Sequence, residues 1–515
     1  MIRLRLETLL VALAVALGAG LLAEELPRML FPWDLRMFSE SVLLTDMLKL
    51  TAGQSPHTTP ADCNSFVNPP GLDYLTYALL RPLGAQLDVR ACRAVTVLCG
   101  VLAAIVTGRL AARFAAQLGG TAVSRASTVV ASVIAGGFIF KSYTADACHP
   151  DNLRLLHAVL LAALTCAAVT SRRLDLALVA AAVGGLGIAI AQTGALGVVG
   201  ALVALVIVCG PLWGPARTAL VVACGLGSCA LAGYVTSRGW GSFWTLTVPD
   251  HFPLEWYRRY RILWQYGQVP HRLVLALAFA PCALYLATRT RRDEALRRMT
   301  LVWVTVGAAE VLPGIVAYAR AWTDWSELTV LDLWMAMPVV AVLWIAARPG
   351  DDGEAVLARR ALGAGTLVSL LVALGPTRVV PTHGEYAFGR ALDAAIAEDA
   401  ASGRRVLVSH GASALVHGGL LDVPLDRSWS GDQLGLARLG GDATRERLAQ
   451  RRYDKVYLLL DPAPQYWPDV QAVLETNYHE VARIQGDETP GLPWDLAAYQ
   501  GAMRGGARVL EANAR

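Results

Sequence analysis

A carboxylate stands in the stretch "LFPWDLRMFSES", Leu30 to Ser41, shortly after an apolar run that ends at Ala23. Asp34 there sits where an apolar phase would give way to water, and an ionised side chain at such a boundary can take a proton from an incoming hydroxyl. The plainer reading is an N-cap, because Asp favours that position and an amphipathic pattern begins just beyond it. A second group lies in "KSYTADACHPDNLRLL", Lys141 to Leu156, where Asp146, His149 and Asp151 crowd together near Lys141 and Arg154. Asp, His and Asp are competent ligands for a divalent ion, although their spacing matches no metal motif, and "HPDNLRLL" also reads as a helix start. A third stretch, Thr236 to Arg272, interleaves Trp and Tyr with Arg238, Arg258, Arg259, Arg261 and Arg272. Such a loop can grip phosphate through its guanidinium forks, or form an aromatic belt with snorkelling arginines. Glu310, in "GAAEVLPGIVAYARAW", is an acid inside an apolar run. It would cost about 2.5–3.5 kcal/mol at mid-bilayer, so it should line a cavity or pair with Arg320.

These groups need a frame. Of 515 residues, 55% are hydrophobic and only 17% charged, which is too little charge for a soluble chain of this length. Apolar runs of bilayer length at roughly 6–23, 90–108, 123–141, 153–170, 174–191, 195–212, 217–235, 271–288, 299–317, 329–347 and 361–378 predict a multi-pass α-helical membrane protein of about eleven spans. The opening run has a basic start but no small-residue cleavage site, and reads as a retained first helix. Short arginine-bearing loops then alternate with longer ones, which puts the amino terminus in the cytoplasm and loops 24–88, 142–152 and 236–270 outside. From Asp34 onward, Leu35, Phe38, Val42, Met47 and Leu50 fall near one helical face. This predicts a helix lying in the interface plane with Trp33 as its anchor.

After residue 379 the apolar runs shrink to strand length at 404–409, 454–460 and 479–484, with helical patterns between them. Residues 380–515 therefore read as a small extracytoplasmic α/β domain with a parallel sheet, following a membrane domain at 1–379. That tail has no dinucleotide fingerprint and no phosphate-binding P-loop, and His410 and His417 read as structural. Cys63 and Cys148 alone fall in outside loops, on the oxidising side, and form either a disulfide or two unrelated thiols. Nothing in the chain points to nucleic acid.

The order of features is informative: membrane helix, exit aspartate, surface helix, "GQSP", then "FVNPPGLDYL". This order resembles the C-type glycosyltransferase superfamily (GT-C), which includes the protein O-mannosyltransferases and the lipid A aminoarabinose transferases. Many members carry an adjacent acidic pair at the exit, whereas here Leu35 follows Asp34. The resemblance implies transfer of a sugar from a polyprenyl-phosphate donor to a glycan, lipid or protein acceptor, at the outer face of a bacterial cytoplasmic membrane. It implies Asp34 as general base, with inversion of the anomeric centre. Asp146, His149, Asp151, Arg258, Arg259, Arg261 and Glu310 would then meet the donor phosphate or line the site, with a divalent metal at Asp146, His149 and Asp151 as one option. Glu40, Asn68 and Tyr74 would position the acceptor or the loop. The tail would recognise the acceptor or shield the site. The competing classes are a transporter or flippase of a lipid-linked substrate, and a non-catalytic envelope scaffold.

Overall fold

Continuous runs of Ala, Leu and Val can satisfy every backbone polar group within the segment by forming helices. The computed structural model describes residues 2–34, 37–59, 65, 68–119, 125–140, 148–247, 270–291, 293–318, 329–346, 381–409, 411–421, 428–429, 443–459, 468–486 and 506–514. Its helices are α1 (Ile2–Leu30), α2 (Met37–Thr51), α3 (Gly71–Leu80), α4 (Val89–Gly119), α5 (Arg125–Phe140), α6 (Asp151–Ser171), α7 (Leu174–Gly185), α8 (Ala195–Thr236), α9 (Pro270–Thr290), α10 (Glu294–Tyr318) and α11 (Thr329–Ala346). Four stretches among the described residues are long and apolar enough to cross a membrane: Val89–Leu118, Asp151–Ser171, Gln192–Thr236 and Glu294–Val316. Every expected span coincides with a helix except 361–378, which lies outside the described residues. α8 holds two of them, because Gly214, between Pro211 and Pro215, leaves helical geometry at φ 76° and ψ 171°.

The bundle packs small and branched side chains inward. Phe114, Leu161, Leu205, Val306 and Trp334 share one buried cluster. Trp334 stacks on Trp303 with ring centroids 4.2 Å apart and donates its indole N–H to the Trp303 carbonyl at 2.7 Å. Outward-facing residues are also apolar: Val15 and Leu22 on α1, Ile207 and Leu231 on α8, Leu277 and Leu284 on α9, and Leu312 on α10 are exposed. An apolar surface spread over this many helices suits hydrocarbon and would be a liability in water.

α2 departs from expectation. It is not a surface helix with one wet face, since every residue from Glu40 to Lys49 is buried. The reason is that its polar positions have protein partners in place of water. Glu40 pairs with Arg93, the Ser41 hydroxyl accepts the Ala412 N–H at 3.1 Å, and Lys49 donates to Asp46 at 3.0 Å and to the Pro56 carbonyl at 2.7 Å. Trp33 likewise is not a membrane anchor. It is 5% exposed and packs with Phe31, Phe388, Leu392, Ile396, Val406 and Tyr457.

Those last residues belong to the tail. Its elements are α12 (His383–Ala401), β1 (Val406–Ser409), α13 (Ala412–His417), β2 (Ser428–Trp429), α14 (Ala443–Ala449), β3 (Lys455–Leu459), α15 (Pro468–Asn477), β4 (Tyr478–Ile484) and β5 (Ala507–Ala512). Thr382 opens α12 with a reciprocal capping box to Glu385. The sheet order is β2-β1-β3-β5-β4. The three strands β2, β1 and β3 are parallel, but β5 runs antiparallel to both β3 and β4. The expected parallel sheet is therefore mixed, because the last strand, "ARVLEA", inserts between β3 and β4 against their direction.

Phe31 and Trp33 thus complete the tail's core, and the exit of α1 and the sheet domain share one hydrophobic cluster. Gly389 on α12 makes the contact close: a Cβ there would lie 2.3 Å from the Trp33 ring. Gly389→Val should overpack this seam and lower stability by about 1–3 kcal/mol. The check is thermal unfolding in detergent, followed by tryptophan fluorescence. An unchanged melting point would show that the tail does not rest on Trp33.

Candidate active site at the exit turn

The turn after α1 is organised by one side chain. Arg93, near the start of α4, is fully buried, and its Nε and Nη2 donate to the two carboxylate oxygens of Glu40 at 2.6 and 2.9 Å. Its Nη1 also donates to the carbonyls of Arg28, at 3.1 Å, and Phe31, and Nη2 donates to the Trp33 carbonyl. The carbonyls at the end of a helix have no intrahelical donor. A planar five-donor fork is well suited to collecting several of them while holding a carboxylate bidentately.

Asp34 is the residue that this arrangement presents. Its carboxylate is 0% exposed. Oδ2 accepts the Ser413 hydroxyl at 2.5 Å and the Ser413 N–H at 3.2 Å, while the Asp34 N–H donates to the Ser413 Oγ at 3.2 Å. Among the described residues, buried Oδ1 has no hydrogen-bond partner. Asp34 does not use its carboxylate to cap α2, which begins at Met37. Burial first, then the negative charge of Glu40, pushes its carboxyl up to about 6, against the opposing pull of the Ser413 bonds and Arg93. A carboxylate so poised is ionised at neutral pH yet a better proton acceptor than an ordinary aspartate.

The second outer segment lands beside it. Cys148 is a buried thiol packed with Leu43, Leu44 and Met47 of α2, Cys92 of α4 and Ala412 of the tail. Its burial pushes the thiol well above the usual range. Cys63, its expected partner, lies outside the described residues, as do Lys141 and Asp146. His149 Nδ1 is 2.9 Å from Asp151 Oδ2, and Asp151 is the first residue of α6. Among the described residues, no three His, Cys, Asp or Glu converge as a metal site.

Glu310 belongs to another place. It is buried on α10 with neither carboxylate oxygen hydrogen-bonded among the described residues, and Oε1 lies 4.0 Å from His157 Nδ1. Its backbone carbonyl takes a 3.4 Å bond from Arg154, which therefore points into the bundle. Gly197 on α8 makes the room, since a Cβ there would lie 2.0 Å from Glu310 Oε1. Arg320, the expected partner, and Arg258, Arg259 and Arg261 all lie outside the described residues. Arg272 is buried against Asp332 at 2.8 Å.

The rest of the first loop is stitched by charge. The Asn68 carbonyl bonds to His57 Nε2 at 3.1 Å, and Tyr74 on α3 is 42% exposed. Burial pushes Asp46 up to about 6 although Lys49 opposes it. Asp73 is raised well above the carboxylate range by burial and by Asp46. The Trp244 indole donates to the Thr58 carbonyl at 2.6 Å, tying the segment after α8 to the first loop.

No protein-family model and no curated protein sequence matches this chain. Solved structures do. ArnT from Cupriavidus metallidurans, bound to undecaprenyl phosphate, aligns with 98% of this chain and 98% of its own at 15% identity and a TM-score of 0.51. The oligosaccharyltransferase of Archaeoglobus fulgidus in its apo form aligns with 97% of this chain and 77% of its own, at 10% identity and a TM-score of 0.52. Archaeal AglB, in complex with an inhibitory peptide and a dolichol-phosphate, aligns with 93% of this chain and 73% of its own, at 10% identity and a TM-score of 0.50. This chain has the GT-C fold.

In this chain the site includes residues that the sequence did not single out. Arg93 reads as an ordinary residue at a span edge. The available signal was an arginine entering an apolar run, matched by Glu40 in an apolar helix. Ser413 in "SHGASALVH" offers no local signal at all, because it meets Asp34 only through the fold. Arg93→Met leaves Glu40 buried without its cation, which should cost about 3–5 kcal/mol. Arg93→Lys should recover only part, because an ammonium cannot hold Glu40 bidentately and reach the carbonyls. Chemical or thermal unfolding of both variants checks this, and a wild-type midpoint for Arg93→Met would remove Arg93 as the organiser.

Proposed function

We propose that this protein transfers a sugar from a polyprenyl-phosphate donor to an acceptor hydroxyl at the outer face of a bacterial cytoplasmic membrane. The observation that carries the reading is the buried Asp34 carboxylate in the turn after α1, with Oδ1 unpartnered among the described residues. The GT-C fold supports it, as do the undecaprenyl phosphate and dolichol-phosphate in the solved ArnT and AglB complexes. The amino terminus then faces the cytoplasm, and residues 380–515 form the extracytoplasmic domain.

Asp34 acts as the general base. Its Oδ1 takes the acceptor proton as the acceptor oxygen attacks the anomeric carbon. The bond from that carbon to the lipid phosphate breaks, and the electron pair leaves on the phosphate as polyprenyl phosphate. A single displacement of this kind inverts the anomeric centre. Asp146, His149 and Asp151 orient cations toward the leaving phosphate or would hold a divalent ion that neutralises it, and Arg258, Arg259 and Arg261 stabilise its charge. Glu40 holds Arg93 so that the exit turn keeps its shape.

Purified protein should release free polyprenyl phosphate from one member of a panel of lipid-phosphate sugars. Asp34→Asn should lower turnover by about a hundredfold or more, in keeping with loss of a general base. Because the working form is the carboxylate, kcat/KM should rise with pH and level off above about 6, losing about tenfold per unit below it. Equal turnover by Asp34→Asn would remove Asp34 as the base, and no turnover with any donor would favour transport or scaffolding.

A further inference from the structure

We infer that Ser413, on the tail helix α13, is a positioning residue that selects Oδ1 of Asp34 as the oxygen receiving the proton; this rests on Asp34 being the general base. The argument is a count of donors. A serine hydroxyl has one proton and two lone pairs. The Asp34 N–H donates to Ser413 Oγ at 3.2 Å, which uses one lone pair. The hydroxyl proton is then directed at Asp34 Oδ2, 2.5 Å away, and the Ser413 N–H adds a second donor to the same oxygen at 3.2 Å. Oδ2 is thus engaged twice, whereas buried Oδ1 has no partner among the described residues. An oxygen that already accepts two bonds must give one up to be protonated, so the proton goes to Oδ1.

The tail is built to keep Ser413 there. Ala412, next to it, donates its N–H to the Ser41 hydroxyl at 3.1 Å, so α2 holds the same turn from the other side. One helical turn on, His417 Nδ1 meets Asp393 Oδ2 at 2.9 Å, and that oxygen also accepts the Trp33 indole N–H at 2.9 Å. The hydrogen bond to Asp393 raises the His417 imidazole above its usual range, which favours the cationic form in this clasp. Residues Ala412 through Leu415 are buried, which excludes the water that would compete for Asp34. The tail therefore does more than cover the site: it supplies a side chain that sets the chemistry of the base. The Ser413 bonds also oppose the upward push of burial on Asp34, so their removal has a readable direction.

The test uses full-length protein in detergent and two readouts. The first is the infrared titration of the protonated Asp34 carboxyl band, assigned by its disappearance in Asp34→Asn. The second is the pH profile of kcat/KM with whichever lipid-phosphate sugar of the panel is turned over. Ser413→Ala should move the titration, and with it the acid limb of the rate, upward by about one pH unit, or about tenfold in rate below the limb. Ser413→Thr keeps the hydroxyl and should titrate as wild type. Ser41→Ala loosens the neighbouring anchor without touching Asp34, and should lower stability while leaving the limb in place. A wild-type titration for Ser413→Ala, or an equal shift in Ser41→Ala, overturns the proposal. Full turnover by Asp34→Asn defeats the general-base reading instead, and the infrared titration still judges the Ser413 contact.

Discussion

One buried guanidinium fixes the ground on which the rest stands. Arg93 reaches from α4 to the carboxylate of Glu40 on α2 and to the carbonyls of Arg28, Phe31 and Trp33 at the exit of α1. A charge taken out of water is tolerated only when its donors are answered, and here they are answered by α2 and by the exit of α1. The same requirement makes the arrangement specific, because moving any of those elements would strand a buried ion. The direction in which the chain leaves α1 is therefore set by charge pairing as well as by packing.

With the exit turn fixed, its side chains can be shared. Phe31 and Trp33 enter the tail's hydrophobic core, and Asp34, the next residue, meets Ser413. The chain closes a loop of nearly 380 residues at this point, yet the contact is made by residues adjacent in each segment. Apolar burial holds the tail in place and polar pairing sets the environment of one carboxylate. A membrane bundle and a mixed-sheet domain thus meet at the position where the chemistry is proposed. Elsewhere the bundle carries a second polar pocket, where Glu310 sits in the space left by Gly197 and faces His157. An acid inside a helical bundle is costly, and here the missing Cβ of Gly197 makes the room for it.

Much of the bundle was legible because its signal is long and local. Apolar runs of bilayer length give helices, and Gly214 between two prolines marks the break inside α8. The order of Asp34 and the "NPPGLDYL" segment was enough to suggest the GT-C fold, which pairwise identity of 10–15% could not have carried. The errors share one cause. α2 has the amphipathic pattern of an interfacial helix, and Trp33 has the composition of an anchor, but both were judged against water or lipid. The fold supplies Arg93, Ser413 and Asp393 instead, and none of these is near in sequence. The mixed order of the sheet was hidden for a similar reason, since β5 pairs with β3 and β4 across long intervals.

The most direct measurement is a structure of the full-length protein with a bound polyprenyl-phosphate sugar, or polyprenyl phosphate alone. The account predicts the phosphate beside the exit turn, with the anomeric position facing Oδ1 of Asp34 while Oδ2 stays on Ser413. A lipid phosphate seated away from the exit turn, with Asp34 still sealed beneath Ser413, would contradict it.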